Sequence, residues 1–186
     1  MRQTLLLLAA GSVAVVRGFL VPLPATAPPW TPPSALPPCE TRSALTIQYG
    51  NVVVGRASEM PYVPKQQAED APEYTVTGDG WFNVMMVDID APSPANASHA
   101  PFLHYLLANV AASKETPTIV TSYYPVLPPT GTHRYVTLLL EQRRYAAHAE
   151  FSFYLESSHR SNFDMAGYVT QHHLCVADTH VFTSLP

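Results

Sequence analysis

Trp81-Phe82-Asn83-Val84-Met85-Met86-Val87-Asp88-Ile89-Asp90-Ala91-Pro92-Ser93-Pro94 carries the decisive pattern of this chain. Six of the first seven positions, Trp81 to Val87, are apolar, with Asn83 the one exception, and two carboxylates and two prolines then close the run. A run this short, opened by the Gly78-Asp79-Gly80 turn and closed by Pro92, is too brief for a typical helix and reads as a strand. It does not alternate, so it suits a strand covered on both faces or a core strand of a sandwich. Tyr135 to Leu140 has the same character, and Leu45-Thr46-Ile47-Gln48-Tyr49 alternates before a Gly50-Asn51 turn and Val52-Val53-Val54. Leu103 to Ala112 fits helix or strand, and Tyr145 to Ser157 mixes helical Ala146-Ala147 with strand-like Phe151 to Tyr154. The chain is expected to be mainly β, a β-rich α+β domain with a few short helices.

Composition agrees with this. Proline occurs 19 times in 186 residues, and each one removes a backbone donor and crowds the preceding helical turn. Apolar residues make up 47%, enough for one real core, while charged residues are only 13% and the net charge is −4. No basic stripe of the kind that binds nucleic acid is present.

Arg2 followed by the uncharged run Leu5 to Val16 reads as a signal segment, residues 1–18, its end open between 18 and 27. The run is shorter than the ~20 residues a membrane span requires. An uncleaved anchor is the alternative; the expectation is a secreted, extracellular product with no transmembrane anchor in its mature form. Pro22 to Pro38 holds eight prolines in seventeen residues and reads as an extended leader, 19–42, before a single domain, 43–186. Export makes Cys39 and Cys175 candidates for a disulfide, two separate buried thiols being the alternative. Asn96-Ala97-Ser98 is an N-glycosylation acceptor in a turn-like setting.

The polar residues at the ends of the apolar runs carry the chemistry. Along a strand, side chains two apart share a face. Asp88 and Asp90 therefore start on one side unless Pro92 bends the chain early; His133 and Tyr135 share a face, and Arg134 points away. With His104 at the start of another run, two histidines, a carboxylate and a phenol converging at strand ends would make a compact polar pocket suited to a small anion. Imidazolium and phenol donate to phosphate oxygens, and the carboxylate orients an imidazole or accepts from an ammonium. Taken singly, each is as readily a turn acceptor or a boundary residue. Asp88, Asp90, His104 and His133 also allow a metal site or an acid–base hydrolase, although no G-x-S-x-G, H-E-x-x-H or Gly-rich phosphate loop accompanies them. His172, His173 and His180 fit no ligand spacing and read as a solvated tail.

Two segments resemble the signatures of the phosphatidylethanolamine-binding protein family. Val87-Asp88-Ile89-Asp90-Ala91-Pro92-Ser93 is similar to V-D-P-D-A-P-S, and Pro128-Pro129-Thr130-Gly131-Thr132-His133-Arg134-Tyr135-Val136 to P-x-x-G-x-H-R-Y-V. Between them Phe102-Leu103-His104-Tyr105-Leu106-Leu107 resembles the family's L-H-W-L-V strand, and Leu45 to Val54, Pro61 to Pro64 and Met165 to Gln171 extend the likeness over about 43–173. The resemblance implies a large antiparallel sheet packed with a smaller one, and a non-enzymatic binding or inhibitory module needing no cofactor. It implies a pocket for phosphate or a phosphoethanolamine-type phospholipid headgroup, lined by Asp88, Pro92, His104, His133 and Tyr135. Asp90 and Arg134 would be structural neighbours in an ion pair, and the Ala100-Pro101 bond would be cis. A lipid surface or a protease is the kind of partner implied. The departures are Ile89 for a proline, Tyr123-Tyr124-Pro125-Val126-Leu127 where family members carry Gly-Pro, and no C-terminal helix after Leu174. Pro125 offers no N–H to an anion, so a diverged chain whose pocket binds nothing is a further reading.

Overall fold

The computed structural model describes residues 13–16, 19–22, 33–40, 43–55, 60–113, 116–154 and 159–186. Strands β1 (Val13–Val16) and β2 (Phe19–Pro22) pair antiparallel inside a separate unit, Met1–Trp30. The rest of the expected signal segment, and residues 23–32, 41 and 42 of the expected leader, lie outside the described residues.

The second unit, Thr31–Pro186, holds two sheets. β3 (Ala44–Tyr49), β4 (Val52–Val54) and β5 (Glu73–Thr77) form the smaller one, in the order β4-β3-β5. β6 (Trp81–Asp88), β7 (Phe102–Val110), β8 (Thr118–Thr121), β9 (His133–Gln142) and β10 (Cys175–Ser184) form the larger, in the order β10-β9-β6-β7-β8, with every neighbouring pair antiparallel. Alternate residues of β6 explain the layering. Phe82, Val84 and Met86 join Leu45, Ile47, Tyr49 and Val76 of the small sheet in one core, together with Tyr135, Leu139 and Phe182. The intervening Met85 and Val87 are also fully buried. A nearly continuous apolar run is what such a doubly covered strand needs, and its one polar residue, Asn83, is hydrogen-bonded to Gln142 and Tyr168.

Helix α1 (Met165–Gln171) is capped by Asp164, whose side chain accepts from the Gly167 amide at 2.8 Å, and buries Met165, Tyr168 and Val169. His148–Tyr154 is a 3-10 segment. Residues 103–110, open between helix and strand in the sequence, are strand because β7 is paired on both sides, by β6 and β8. The peptide bonds Ala100–Pro101 and Ala91–Pro92 are both cis.

One reading of the C-terminal part changes. Residues 175–184 are not a tail but the ten-residue strand β10, and His180 is buried, 5% exposed. Its two ring nitrogens meet Asp178 Oδ2 at 3.1 Å and the Gly55 carbonyl at 3.0 Å, so its polarity is satisfied in the interior. The end of the Pro-rich stretch is also ordered onto β10. Leu36 is buried, Cys39 N–H donates to the Val176 carbonyl at 2.9 Å, and Val176 N–H donates to that of Pro37 at 2.8 Å. Proline suits such an edge because only the alternate N–H groups are used. Cys39 and Cys175 form a disulfide there.

Candidate functional site

β6, β7 and β9 end together at one edge of the large sheet. Asp88 is paired in register with Tyr135 on one side and Phe102 on the other. The face that Phe82, Val84 and Met86 turn toward the small sheet therefore ends in Asp88, while β9 brings His133 and Tyr135 to the same end. A register irregularity in the β6–β7 pairing between Met86 and Val87 lies beside His104 of β7. The sequence thus delivers its polar residues where the apolar runs stop.

Asp88, His104, His133 and Tyr135 are all buried, none more than 3% exposed. His133 Nδ1 lies 2.6 Å from Asp88 Oδ2, and its Nε2 lies 3.1 Å from the Thr130 carbonyl oxygen. Two acceptors face the two nitrogens, which requires both to carry hydrogen. Burial lowers the His133 pKa, but the hydrogen bond and charge of Asp88 and the Thr130 carbonyl outweigh it and leave it raised. Asp88 Oδ1 is occupied as well, accepting from the Asp90 amide at 2.8 Å.

His104 differs. Its Nδ1 lies 2.8 Å from the Tyr124 carbonyl oxygen, so Nδ1 is the donor and the neutral ring keeps its lone pair on Nε2. Burial brings its pKa down to about 4, and the nearby charges of Arg160 and His133 act in the same direction, against the Tyr124 carbonyl and Asp88. The His104 ring stands edge-on to Tyr135, with centroids 5.1 Å apart, and Tyr135 stacks on Phe182 at 5.0 Å. Burial and the Asp88 carboxylate push the Tyr135 phenol far up, so it stays protonated.

Asp90 does not join this group. β6 stops at Asp88, the chain bends, and Asp90 turns to Arg134, accepting from Nε at 2.8 Å, from Nη2 at 2.7 Å and from the backbone amide at 2.8 Å. The expected ion pair is present. Pro92 is half-buried in the turn that follows. Gly131, at a φ of +80°, brings the 128–132 turn against that one, where an added Cβ would stand 3.1 Å from Pro94 Cδ. Asn96 is exposed in the same turn, its amide bonded to the Ser93 carbonyl at 3.0 Å.

A metal reading gains nothing from the geometry. Among the described residues, the one trio of donor atoms within 4.8 Å of one another belongs to Cys39, Glu141 and Cys175, and its two sulfurs form the disulfide. Ser184, the cross-strand partner of His133, has an Oγ with no hydrogen bond, and His133 turns its Nε2 to Thr130 instead. Two cavities, of about 600 and 460 Å³, lie at the far end of β9 around Glu141, Gln142 and His173, away from this cluster. Shape alone would have pointed there; the convergence of titratable groups points to Asp88, His104, His133 and Tyr135.

Arg160 escaped the sequence reading. It is 8% exposed, and its Nη1 donates to the Leu103 and His104 carbonyls at 2.9 and 3.1 Å, its Nη2 to the Ser122 carbonyl at 2.7 Å. The guanidinium lies 5.6 Å from the centre of the Tyr124 ring. The backbone around Pro125 is spent inward, Tyr124 N–H on the His104 carbonyl at 2.8 Å and Val126 N–H on that of Ala68 at 3.2 Å.

Comparison with known proteins gives three findings. The family model described as "Phosphatidylethanolamine-binding protein" matches residues 40–182. Among curated proteins, "Protein MOTHER of FT and TFL1 homolog 2" of Oryza sativa subsp. japonica is 30% identical over 95 residues, which cover 50% of this chain and 53% of the relative. "Protein TWIN SISTER of FT" of Arabidopsis thaliana is 29% identical over 104 residues, 53% of this chain and 58% of the relative. The chain thus spans little more than half the length of these relatives. Among solved structures, a phosphatidylethanolamine-binding protein from Plasmodium vivax superposes with a TM-score of 0.61 at 11% identity, covering 81% of this chain and 91% of that one. A carboxypeptidase Y inhibitor, solved with its cognate proteinase, gives 0.59 at 16% identity, covering 75% and 81%.

Proposed function

This chain belongs to the phosphatidylethanolamine-binding protein family, and we propose that it works as a non-enzymatic binding module whose ligand is a small phosphate-type headgroup held at the ends of β6, β7 and β9. The observation that carries the reading is the meeting of Asp88, His104, His133 and Tyr135, drawn from three strands, in one buried cluster. Structural ion pairs do not need a neutral imidazole, a protonated phenol and an imidazolium–carboxylate pair side by side; a recognition site does. The unpositioned Ser184 hydroxyl and the occupied His133 Nε2 favour binding over hydrolysis.

The module acts outside the cytosol, bearing carbohydrate at Asn96. The signal-like N-terminus, the exposed sequon and the Cys39–Cys175 disulfide support that setting. A protein partner, a protease in particular, is the second reading; Tyr124 and Leu127, 46% and 54% exposed on the loop beside the site, favour it.

The test is a titration of the folded protein with phosphoethanolamine, following the imidazole signals of His104 and His133 by NMR. Both shift saturably if the reading holds, and Asp88→Asn weakens the effect. Signals that stay fixed up to millimolar ligand dismiss the headgroup, and a serine carboxypeptidase assay with the protein added then decides the second reading.

A further inference from the structure

We propose that the site selects ligands that bring their own hydrogen-bond donor to His104 Nε2, such as a P–OH of phosphate or the ammonium of an ethanolamine headgroup, and rejects anions without one, such as sulfate. The inference rests on the reading of this cluster as the ligand site and names the chemistry that fits it.

The argument is a count of hydrogens. An anion site is ordinarily lined with N–H and O–H groups, and here nearly all of them are spent within the protein. His133 gives one hydrogen to Asp88 and the other to the Thr130 carbonyl. His104 gives its Nδ1 hydrogen to the Tyr124 carbonyl. Arg134 is turned to Asp90, and the terminal nitrogens of Arg160 are turned to carbonyls of β7 and Ser122. The backbone of residues 124–126, where donors to an anion would come from, points its two N–H groups inward, and Pro125 has none. The Tyr135 hydroxyl is itself directed at the Asp88 carboxylate, so what the cluster keeps for a ligand is the His104 Nε2 lone pair.

His104 does not readily convert that lone pair to a donor. The charged groups around it are Asp88 on β6, His133 on β9 and Arg160 beyond the 3-10 segment, with the neutral phenol of Tyr135 edge-on and the Tyr124 carbonyl at Nδ1. Asp88 is already matched by His133, whereas Arg160 has no carboxylate among the contacts described and sits on the carbonyl of His104 itself. A second hydrogen on His104 would face both cations from within the interior. Its pKa of about 4 expresses this, and protonating the ring at pH 7 would cost a factor of about a thousand in population. A bare anion therefore sets lone pair against lone pair, while hydrogen phosphate or an ammonium completes the bond. Arg160, together with the imidazolium of His133, supplies positive charge that attracts the anionic part.

Calorimetry on the full chain at pH 7 tests this with matched probes. Inorganic phosphate is compared with sulfate, and a short-chain diacyl phosphatidylethanolamine with the matching phosphatidylcholine, whose acylated glycerol carries no hydroxyl; the tighter of the two donor-bearing probes tells free phosphate from a lipid headgroup. The expected result is binding of a donor-bearing probe and a loss of about tenfold or more for its donor-free counterpart, the cost of one unmet buried hydrogen bond. Donor-free probes that bind as tightly as their counterparts overturn the inference and leave the binding function standing. Failure of all four probes overturns both. Nitrogen NMR of His104 reads the same point without ligand: Nε2 should be unprotonated at pH 7, and a hydrogen found on Nε2 refutes the proposal.

Discussion

Asp178→Asn takes the charge from the carboxylate that ties the edge of the large sheet to the small one. Asp178 accepts from the Leu45 amide of β3 at 3.0 Å, from the Thr179 amide at 2.9 Å and from His180 Nε2 at 3.1 Å, while His180 Nδ1 donates to the Gly55 carbonyl just beyond β4 at 3.0 Å. The side chains are only 6% and 14% exposed, so water does little to screen them. Burial lowers the His180 pKa, yet the hydrogen bond and charge of Asp178, with the Gly55 and Val54 carbonyls, leave it above its ordinary value. Asp178 is likewise desolvated, but His180 and the two amides hold it below the usual carboxylate range. An asparagine oxygen keeps one neutral bond and loses the charge-assisted one, a cost of about 2–3 kcal/mol. The sign follows from linkage. A raised histidine contributes stability that is complete below its unfolded pKa of about 6.5 and is lost as pH rises through the folded value. A depressed aspartate contributes stability that is complete above about pH 3.9 and is lost as pH falls through its folded value. The pair is therefore worth most near pH 5. Urea unfolding of wild type and Asp178→Asn at pH 5 and pH 8 should show the full difference at pH 5 and a smaller one at pH 8. His133 adds a slope of the same sign to both proteins and cancels in the comparison. Equal midpoints at pH 5, or a difference that does not shrink at pH 8, refute the reasoning.

Three further outcomes are expected. Asp90→Ala leaves Arg134 without its two-pronged partner and its backbone amide without an acceptor; as Arg134 is 25% exposed, the loss in unfolding free energy should be about 1–3 kcal/mol, and an unchanged melting temperature would deny the pair a structural role. Replacing Cys39 and Cys175 together by Ser opens a loop of sequence separation 136, and denaturant unfolding should show a loss of about 4–5 kcal/mol in the chain-entropy account. Expressed in a glycosylating secretory host, the protein should lose mass on treatment with a glycosidase specific for N-linked carbohydrate, and Asn96→Gln should abolish that shift; a wild-type mass that does not change argues against the exported setting.

The convergence of these polar residues was legible in the sequence because strand ends announce themselves. Asp88 follows a run that is apolar but for Asn83, His133 and Tyr135 open another at a spacing that fixes a common face, and the structure brings them together with His104. What the strands do with their hydrogens was not legible. Strand spacing alone put Asp88 and Asp90 on one side; the family resemblance separated them, and the end of β6 at Asp88 supplies the reason, sending one inward and the other to Arg134. Donation from the imidazoles to an anion was the natural expectation; the Tyr124 and Thr130 carbonyls, which take those hydrogens, are backbone atoms with no residue-type signal. Arg160 was invisible for the same reason, since its partners are carbonyls of Leu103, His104 and Ser122. β10 was missed because Asp178 and His180 gave it the polarity of a surface segment, and each cancels the polarity of the other.

The free side of β10 bears on how this protein fails. A terminal strand in an open sheet invites a second molecule to add to it. Here two short pieces of chain lie along it in parallel, Pro38 beside Val176 and Tyr62 beside Thr183, and they take up backbone groups of the strand near either end. The first of these guards is fastened by the only covalent cross-link among the described residues. A reducing environment should therefore do more than loosen the fold: it releases one guard, bares the backbone groups of Val176 near one end of a ten-residue strand, and offers them as a template for aggregation.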